Sequence, residues 1–170
     1  MKWNIVIIVG LFILSCSQSN SIDKKQAEKN LINQVNTAGK YLLHKDYEAY
    51  VDYIYPAIVK ETGGKEAIIR IIRNQMKNFE LDGITITELK FGIPSPIIEE
   101  PNGELQAVIT QSHTMRKGDE KISPDGALVA VSTDKGKNWK FIDVADKDGV
   151  GLRRQYPNLS GKLPIPDLRD

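Results

Sequence analysis

Met76-Lys77-Asn78-Phe79-Glu80-Leu81-Asp82-Gly83-Ile84-Thr85-Ile86-Thr87-Glu88-Leu89-Lys90-Phe91 is where the chain changes its hydrophobic period. Upstream, Ala67, Ile68, Ile71, Ile72, Met76 and Phe79 recur at helical spacing with Arg70, Arg73, Asn74 and Lys77 between them, the pattern of a helix with one buried face. Downstream, Ile84 and Ile86 alternate with threonine, the period of a strand. Leu81-Asp82-Gly83 divides the two. Leu89, Phe91 and Ile93 have the opposite parity to Ile84 and Ile86, so one extra residue has to be absorbed near Thr87-Glu88, and a β-bulge is predicted there.

Everything before this junction reads as helix and everything after it as sheet. Asp23 is placed to cap a first helix, with Gln26 at the capping-box position and Leu31, Val35, Ala38 and Leu42 on one face over about five turns. Asp46 caps a shorter second helix with Tyr47, Tyr50, Val51 and Ile54 on one side, interrupted at Pro56. Gly63-Gly64 precedes the third. On the other side of the junction, Pro101-Asn102-Gly103 predicts a type I′ hairpin, and Leu105, Ala107, Ile109, His113 and Met115 alternate along the returning strand. Lys117-Gly118-Asp119 and Pro124-Asp125-Gly126 are further turn signals. Ala127 to Val131 is an unbroken apolar run suited to a central strand, and Trp139 to Val144 completes the sheet. The fold class is therefore α+β, with N-terminal helices packed on a strongly curved antiparallel sheet. Residues 149–170, which contain Pro157, Pro164 and Pro166, are expected to run extended over the domain.

The first fifteen residues have a different character. Lys2 is followed by ten uninterrupted apolar residues, Ile5 to Leu14, ending at Ser15-Cys16. Spanning a bilayer takes about 20 apolar residues, whereas the core of an export signal takes about 7–15, so this run reads as a signal peptide. Cys16 is the sole cysteine, which excludes an intramolecular disulfide. Removing the leader takes away Lys2 alone, leaving 22 basic against 22 acidic side chains. A neutral domain gives no electrostatic reason to bind nucleic acid. Lys24, Lys25 and Lys29 lie near the start of the mature chain, where they read as a solvated helix face or a contact with anionic lipid.

Ile13-Leu14-Ser15-Cys16 resembles the lipobox of bacterial lipoproteins, which implies cleavage before Cys16 and attachment of lipid to it. Residues 1–15 are then the signal peptide, 16–22 the lipidated cysteine and polar tether, 23–148 the folded domain and 149–170 the tail. The resemblance places the protein in the bacterial cell envelope, anchored to an inner or outer membrane. The order of three helices and a bent sheet, with the joint Leu43-His44-Lys45-Asp46-Tyr47, the tyrosine-rich helix ending at Pro56 and the opening Gly63-Gly64-Lys65-Glu66-Ala67, resembles the NTF2-like superfamily, which includes the SnoaL and ketosteroid-isomerase types. That likeness implies a conical apolar pocket between helices and sheet. It carries over no catalytic residue, because such domains include isomerases, dehydratases and proteins without activity.

Four residues are the candidates for lining such a pocket. His113 shares strand parity with Leu105, Ala107, Ile109 and Met115, Asp143 shares it with Trp139 and Phe141, and Tyr50 and Tyr53 belong to the tyrosine stripe of the first two helices. Each also has a plainer reading, as a hydrogen-bonded core histidine, an exposed turn carboxylate and core-packing aromatics. Ser132-Thr133-Asp134-Lys135-Gly136-Lys137-Asn138-Trp139 resembles the Asp-box hairpin of sialidase propellers, with Asn138 where threonine is usual. A single copy cannot build a propeller. Ser132, Asp134, Gly136 and Trp139 are therefore expected to hold a hairpin together, the carboxylate accepting turn N–H groups and the indole packing back over them.

Metal and cofactor chemistry find no support. Asp143, Asp146 and Asp148 before Gly149 lack the alternating spacing and closing glutamate of a calcium loop, and His44 and His113 are the only histidines. There is no phosphate-binding glycine loop and no nucleophile elbow. The sequence reading is thus a membrane-anchored, non-catalytic pocket domain for a small apolar ligand or an envelope partner protein, without a cofactor. A cofactor-free lyase or isomerase using His113 and Asp143, and a purely structural assembly lipoprotein, are the two alternatives.

Overall fold

The computed structural model describes residues 22–144 and 147–168. The leader, Cys16, the tether up to residue 21 and Asp146 lie outside them. Helix α1 (Lys24–Leu43) begins at Asp23, whose carboxylate accepts the Gln26 N–H at 3.0 Å. The Gln26 side-chain amide donates to Asn30 Oδ1 at 2.8 Å. Asp46 caps α2 (Tyr47–Tyr50) through the Ala49 N–H, and a 3₁₀ turn (Val51–Tyr53) follows. Pro56 then opens another helix, α3 (Pro56–Glu61), where the sequence reading had the helical stretch stop. A proline's fixed φ and missing N–H suit the first helical position, so one residue both ends the preceding turn and starts the next.

Helix α4 (Lys65–Leu81) is the one read from the apolar stripe, rotated slightly from expectation. Ile69 is buried with Ile68, while Ile71 is 51% exposed. From Ile84 the chain is sheet, with β1 (Ile84–Phe91), β2 (Ile98–Glu99), β3 (Leu105–Lys117), β4 (Glu120–Ile122), β5 (Asp125–Ser132) and β6 (Lys140–Asp143) all antiparallel in the order β1-β3-β5-β6. Strands β2 and β4 also pair with the long β3, which is the spine of the sheet. The register slips between Ile86 and Glu88, where the bulge was predicted. A bulge bends its strand and increases local twist, which is how β1 curves back toward the helices.

Two turn readings are corrected. In Pro101-Asn102-Gly103 only Gly103 adopts positive φ (82°), so the turn is not type I′. Asn102 uses its side chain instead, accepting the Glu104 N–H at 3.0 Å, and Gly103 N–H closes the turn on Glu100 O at 2.8 Å. Pro124-Asp125-Gly126 is no turn between strands: β4 and β5 run along one edge of β3 in unbroken register, and Asp125 and Gly126 already pair with Ser112 and Gln111. Pro124 interrupts the ladder only at its own missing N–H, while its carbonyl accepts from His113 N–H at 3.1 Å.

Both faces of the central strands are buried, which accounts for the continuous apolar run Ala127 to Val131. On the inner face Leu105, Ala107, Ile109, Leu128, Ala130 and Phe141 pack against Ala27, Leu31, Val35 and Ala38 of α1. On the outer face Val108, Val129, Val131 and Ile142 are covered by Leu152, Tyr156, Leu159 and Leu163 from the C-terminal segment. That segment was expected to be extended throughout, yet Gly149–Gln155 forms helix α5, capped by Asp148. The prolines forbid helix only from Pro157 onward, and burial of Leu152 outweighs the low helix propensity of Gly149 and Gly151. Fully buried Gln106 fastens the segment, donating to Asn158 O at 2.9 Å and accepting from Ser160 N–H at 2.8 Å. The tail is thus half of a core and no appendage.

Candidate functional site

Bending β1 over α1, α2 and α4 leaves a cavity of about 210 Å³ between sheet and helices. Val35, Ala38, Leu42, Ile68, Leu89 and Leu128 make its walls largely apolar. All four residues read from the sequence as pocket candidates line it: His113 from β3, Asp143 from β6, Tyr50 from α2 and Tyr53 from the turn after it. Strand parity located the first two because the predicted bulge lies on β1 and leaves β3 and β6 in phase.

Gln111 is the polar residue that the sequence reading missed. It stands two positions before His113 on the same face of β3, and that spacing was the available signal. Its amide Nε2 lies 3.5 Å from Asp143 Oδ2, two strands away. The strand between contributes Gly126 opposite Gln111, and a Cβ there would come within 3.0 Å of Gln111 Cγ and 3.1 Å of its Nε2. The glycine is therefore the gap through which the glutamine side chain crosses β5 toward Asp143. Gln111 is 7% exposed, whereas His113 is half-buried and Asp143 exposed, so the polar wall grades from the interior outward.

The tyrosines of the helical stripe divide by location. Tyr47 is buried beneath α4 with Val51 and Ile68, Tyr55 meets Tyr156 edge-on under the tail at 5.8 Å, and Tyr53 stacks on Phe141 at 6.5 Å in the cavity wall. Tyr50 is half-buried as a residue, but its ring faces the cavity. Burial pushes its hydroxyl up to about 12, and the Asp143 carboxylate adds to the effect. An unfolded tyrosine ionises near 10, so above about pH 10 the unfolded chain releases a proton that the folded one keeps, and stability must fall as pH rises toward 12. Tyr50→Phe removes this dependence. Urea titrations at about pH 8 and pH 11 should show the wild type losing more stability than Tyr50→Phe over that interval; equal losses would mean that Tyr50 is not desolvated.

What the polar wall can do follows from its contacts. The Asp143 carboxylate is approached by the Gln111 amide, and His113 lines the same cavity. The arrangement offers donors and acceptors to one polar group of a guest whose remainder meets hydrocarbon. Asp148, part of the rejected calcium reading, is the α5 cap, and the described residues hold no cluster of three metal-ligating side chains.

The hairpin Ser132 to Trp139 packs against the N-terminal half of α1. Asp134 Oδ1 accepts the Ser132 hydroxyl at 2.9 Å and the Asn138 N–H at 2.8 Å, and Oδ2 accepts the Asn138 amide at 2.7 Å. Partial burial acts to raise the Asp134 pKa, but these donors outweigh it and hold the carboxyl below its ordinary value. Gly136 sits at φ 80°, and a Cβ there would fall 2.3 Å from Ala27 Cβ. Trp139 is fully buried and its indole N–H donates to Ala27 O at 3.2 Å. Asn138, in the place of the usual threonine, supplies an additional amide to the carboxylate.

No protein-family model and no curated protein matches the sequence. Among solved structures the chain is similar to ActVI-ORFA from Streptomyces coelicolor, at 11% identity and a TM-score of 0.53, covering 71% of this chain and 97% of that one. At that identity the likeness is one of fold, and the fold is NTF2-like.

Proposed function

We propose that the domain binds one small, largely apolar molecule in the cavity between α1 and the sheet, without transforming it, while lipid on Cys16 holds the protein to an envelope membrane. The observation that carries the binding reading is the convergence of Gln111, His113 and Asp143 from the sheet and Tyr50 from α2 on one largely apolar space. A purely structural role would call for a cavity filled by its own side chains, and about 210 Å³ is left open. Native mass spectrometry of the protein purified from its own envelope tests the reading. A stoichiometric small molecule lost on denaturation supports it; a partner protein in its place would favour the assembly alternative.

The lyase or isomerase reading is favoured by one feature, the presence of His113 and Asp143 in the same cavity. General acid–base catalysis needs a base within hydrogen-bond reach of the proton it moves and, as a rule, a neighbour that tunes it. The largely apolar lining of the space supports binding as the stronger reading. Turnover of the co-purified molecule by wild type, abolished in His113→Ala/Asp143→Asn with binding retained, would reverse that order.

The anchor reading rests on Ile13-Leu14-Ser15-Cys16 and on the Ser/Asn-rich residues that follow. No helix among the described residues is long and apolar enough to cross a membrane. Cys16→Ser is expected to leave an uncleaved precursor or a soluble protein, so that mature protein disappears from the membrane fraction after a high-salt wash. Mature Cys16→Ser protein still resisting the wash would show that something else retains it.

A further inference from the structure

The lysines near the anchor acquire two companions from a distant part of the sequence. Lys24, Lys25 and Lys29 occupy the first two turns of α1 and are exposed. The hairpin is fastened across the same turns: Asn30 donates to Gly136 O at 2.8 Å, Gln34 donates to Lys137 O at 2.7 Å, and Gly136 abuts Ala27. Lys135 and Lys137, both exposed, are thereby carried to the N-terminal end of α1. Among the described residues none of the five lysines forms an ion pair. The acidic side chains on these same segments are Asp23, Glu28 and Asp134, three carboxylates against the five lysines. An overall neutral chain therefore presents a local positive excess at this end.

We propose that Lys24, Lys25, Lys29, Lys135 and Lys137 dock the domain on the anionic headgroups of the bilayer that holds the Cys16 lipid, which makes the hairpin a membrane-facing element. The proposal rests on the anchor reading. The six Cα–Cα steps from Cys16 to Ile22 span at most about 22 Å when fully extended, so the tether keeps this end of α1 close to the lipid surface. Charges held within about 8–10 Å of that surface act without full screening, and one lipid chain with a basic patch is a recognised pairing for stable attachment. The docking also sets the orientation of the cavity. Its lining from α1 begins at Val35, about 16 Å along the helix from Lys24, so the cavity is held away from the bilayer and exchanges its guest with the aqueous compartment.

The test uses the mature lipidated protein on vesicles of phosphatidylcholine alone or with about 30% phosphatidylglycerol, with lysine acetylation rates read by mass spectrometry. On the anionic vesicles the five lysines are expected to react at least about threefold more slowly than on neutral ones, with Lys60 of α3 and Lys77 of α4 unchanged, and the protection should fade in high salt. Lys135→Glu/Lys137→Glu should lose the protection at Lys24, Lys25 and Lys29 while keeping its lipid. Lipidated, vesicle-bound protein with equal rates on both compositions would overturn the docking and leave the anchor standing. A mature protein whose mass lacks the acyl groups would overturn both.

Discussion

Trp139→Ala is expected to lower the stability of the domain by about 3–5 kcal/mol, the range for truncating a fully buried tryptophan. The side chain is wholly inaccessible and packs in the inner core with Leu31, Leu105 and Ala130. Removing it opens a cavity between α1 and the sheet and leaves the Ala27 carbonyl without the indole N–H it accepts. The backbone N–H of Trp139 still donates to Gln34 Oε1 at 2.9 Å in the variant, so the loss falls on the indole contacts and the core rather than on this hairpin bond. Most domains of this size have about 5–15 kcal/mol in total, so the variant should be close to unfolding at growth temperature. Urea denaturation followed by far-UV circular dichroism measures the difference, and a variant as stable as wild type would mean that the hairpin is not part of the core.

The second large effect is on binding. Ala38 is 4% exposed, lies in the middle of the buried face of α1 and lines the cavity. Ala38→Phe places a phenyl ring in a space of about 210 Å³, leaving little room for a guest. Affinity for any molecule bound there should fall at least about 100-fold, equivalent to about 2.7 kcal/mol. The fold should survive, because overpacking of this kind typically costs about 1–3 kcal/mol and here open space adjoins the new ring. His113→Ala acts differently: it keeps the walls and removes one polar partner, so a loss of about tenfold is expected. Side-by-side isothermal titrations of the co-purified ligand would separate the two. Equal losses in both variants would indicate a site held by polar contacts alone.

The sequence disclosed the fold wherever periodicity was the controlling physics. The helix-to-sheet junction at Gly83, the bulge beside Thr87-Glu88 and the caps at Asp23 and Asp46 all follow from local spacing and chemistry. His113 and Asp143 were legible for the same reason, since a strand in phase sends alternate residues to one face. What spacing does not encode is which tertiary surface covers a segment. Ile71 and Ile69 are equivalent as residues, and only the position of α4 over α2 and the sheet decides which is buried. Gly149 and Gly151 argue against the helix that burial of Leu152 imposes, and the outer half of the core was hidden in a tail whose prolines suggest an extended run. Gln111 escaped notice because its role depends on Gly126, a residue on the next strand whose contribution is the absence of a side chain. Long-range pairs of that kind become visible only with the strand register.

The cavity as a binding site is tested most directly by methyl NMR of the domain titrated with p-cresol, an apolar ring whose hydroxyl can both donate to and accept from the polar wall. Saturable shifts are expected at the methyls of Val35, Leu42, Ile68, Ile72, Leu89 and Leu128, which line the cavity, and not at Val129 or Val131 beneath the tail. The same titration of Ala38→Phe should leave the cavity methyls unmoved. Cavity methyls that do not respond in the wild type, or that respond equally in Ala38→Phe, would contradict the assignment of this space as the ligand site.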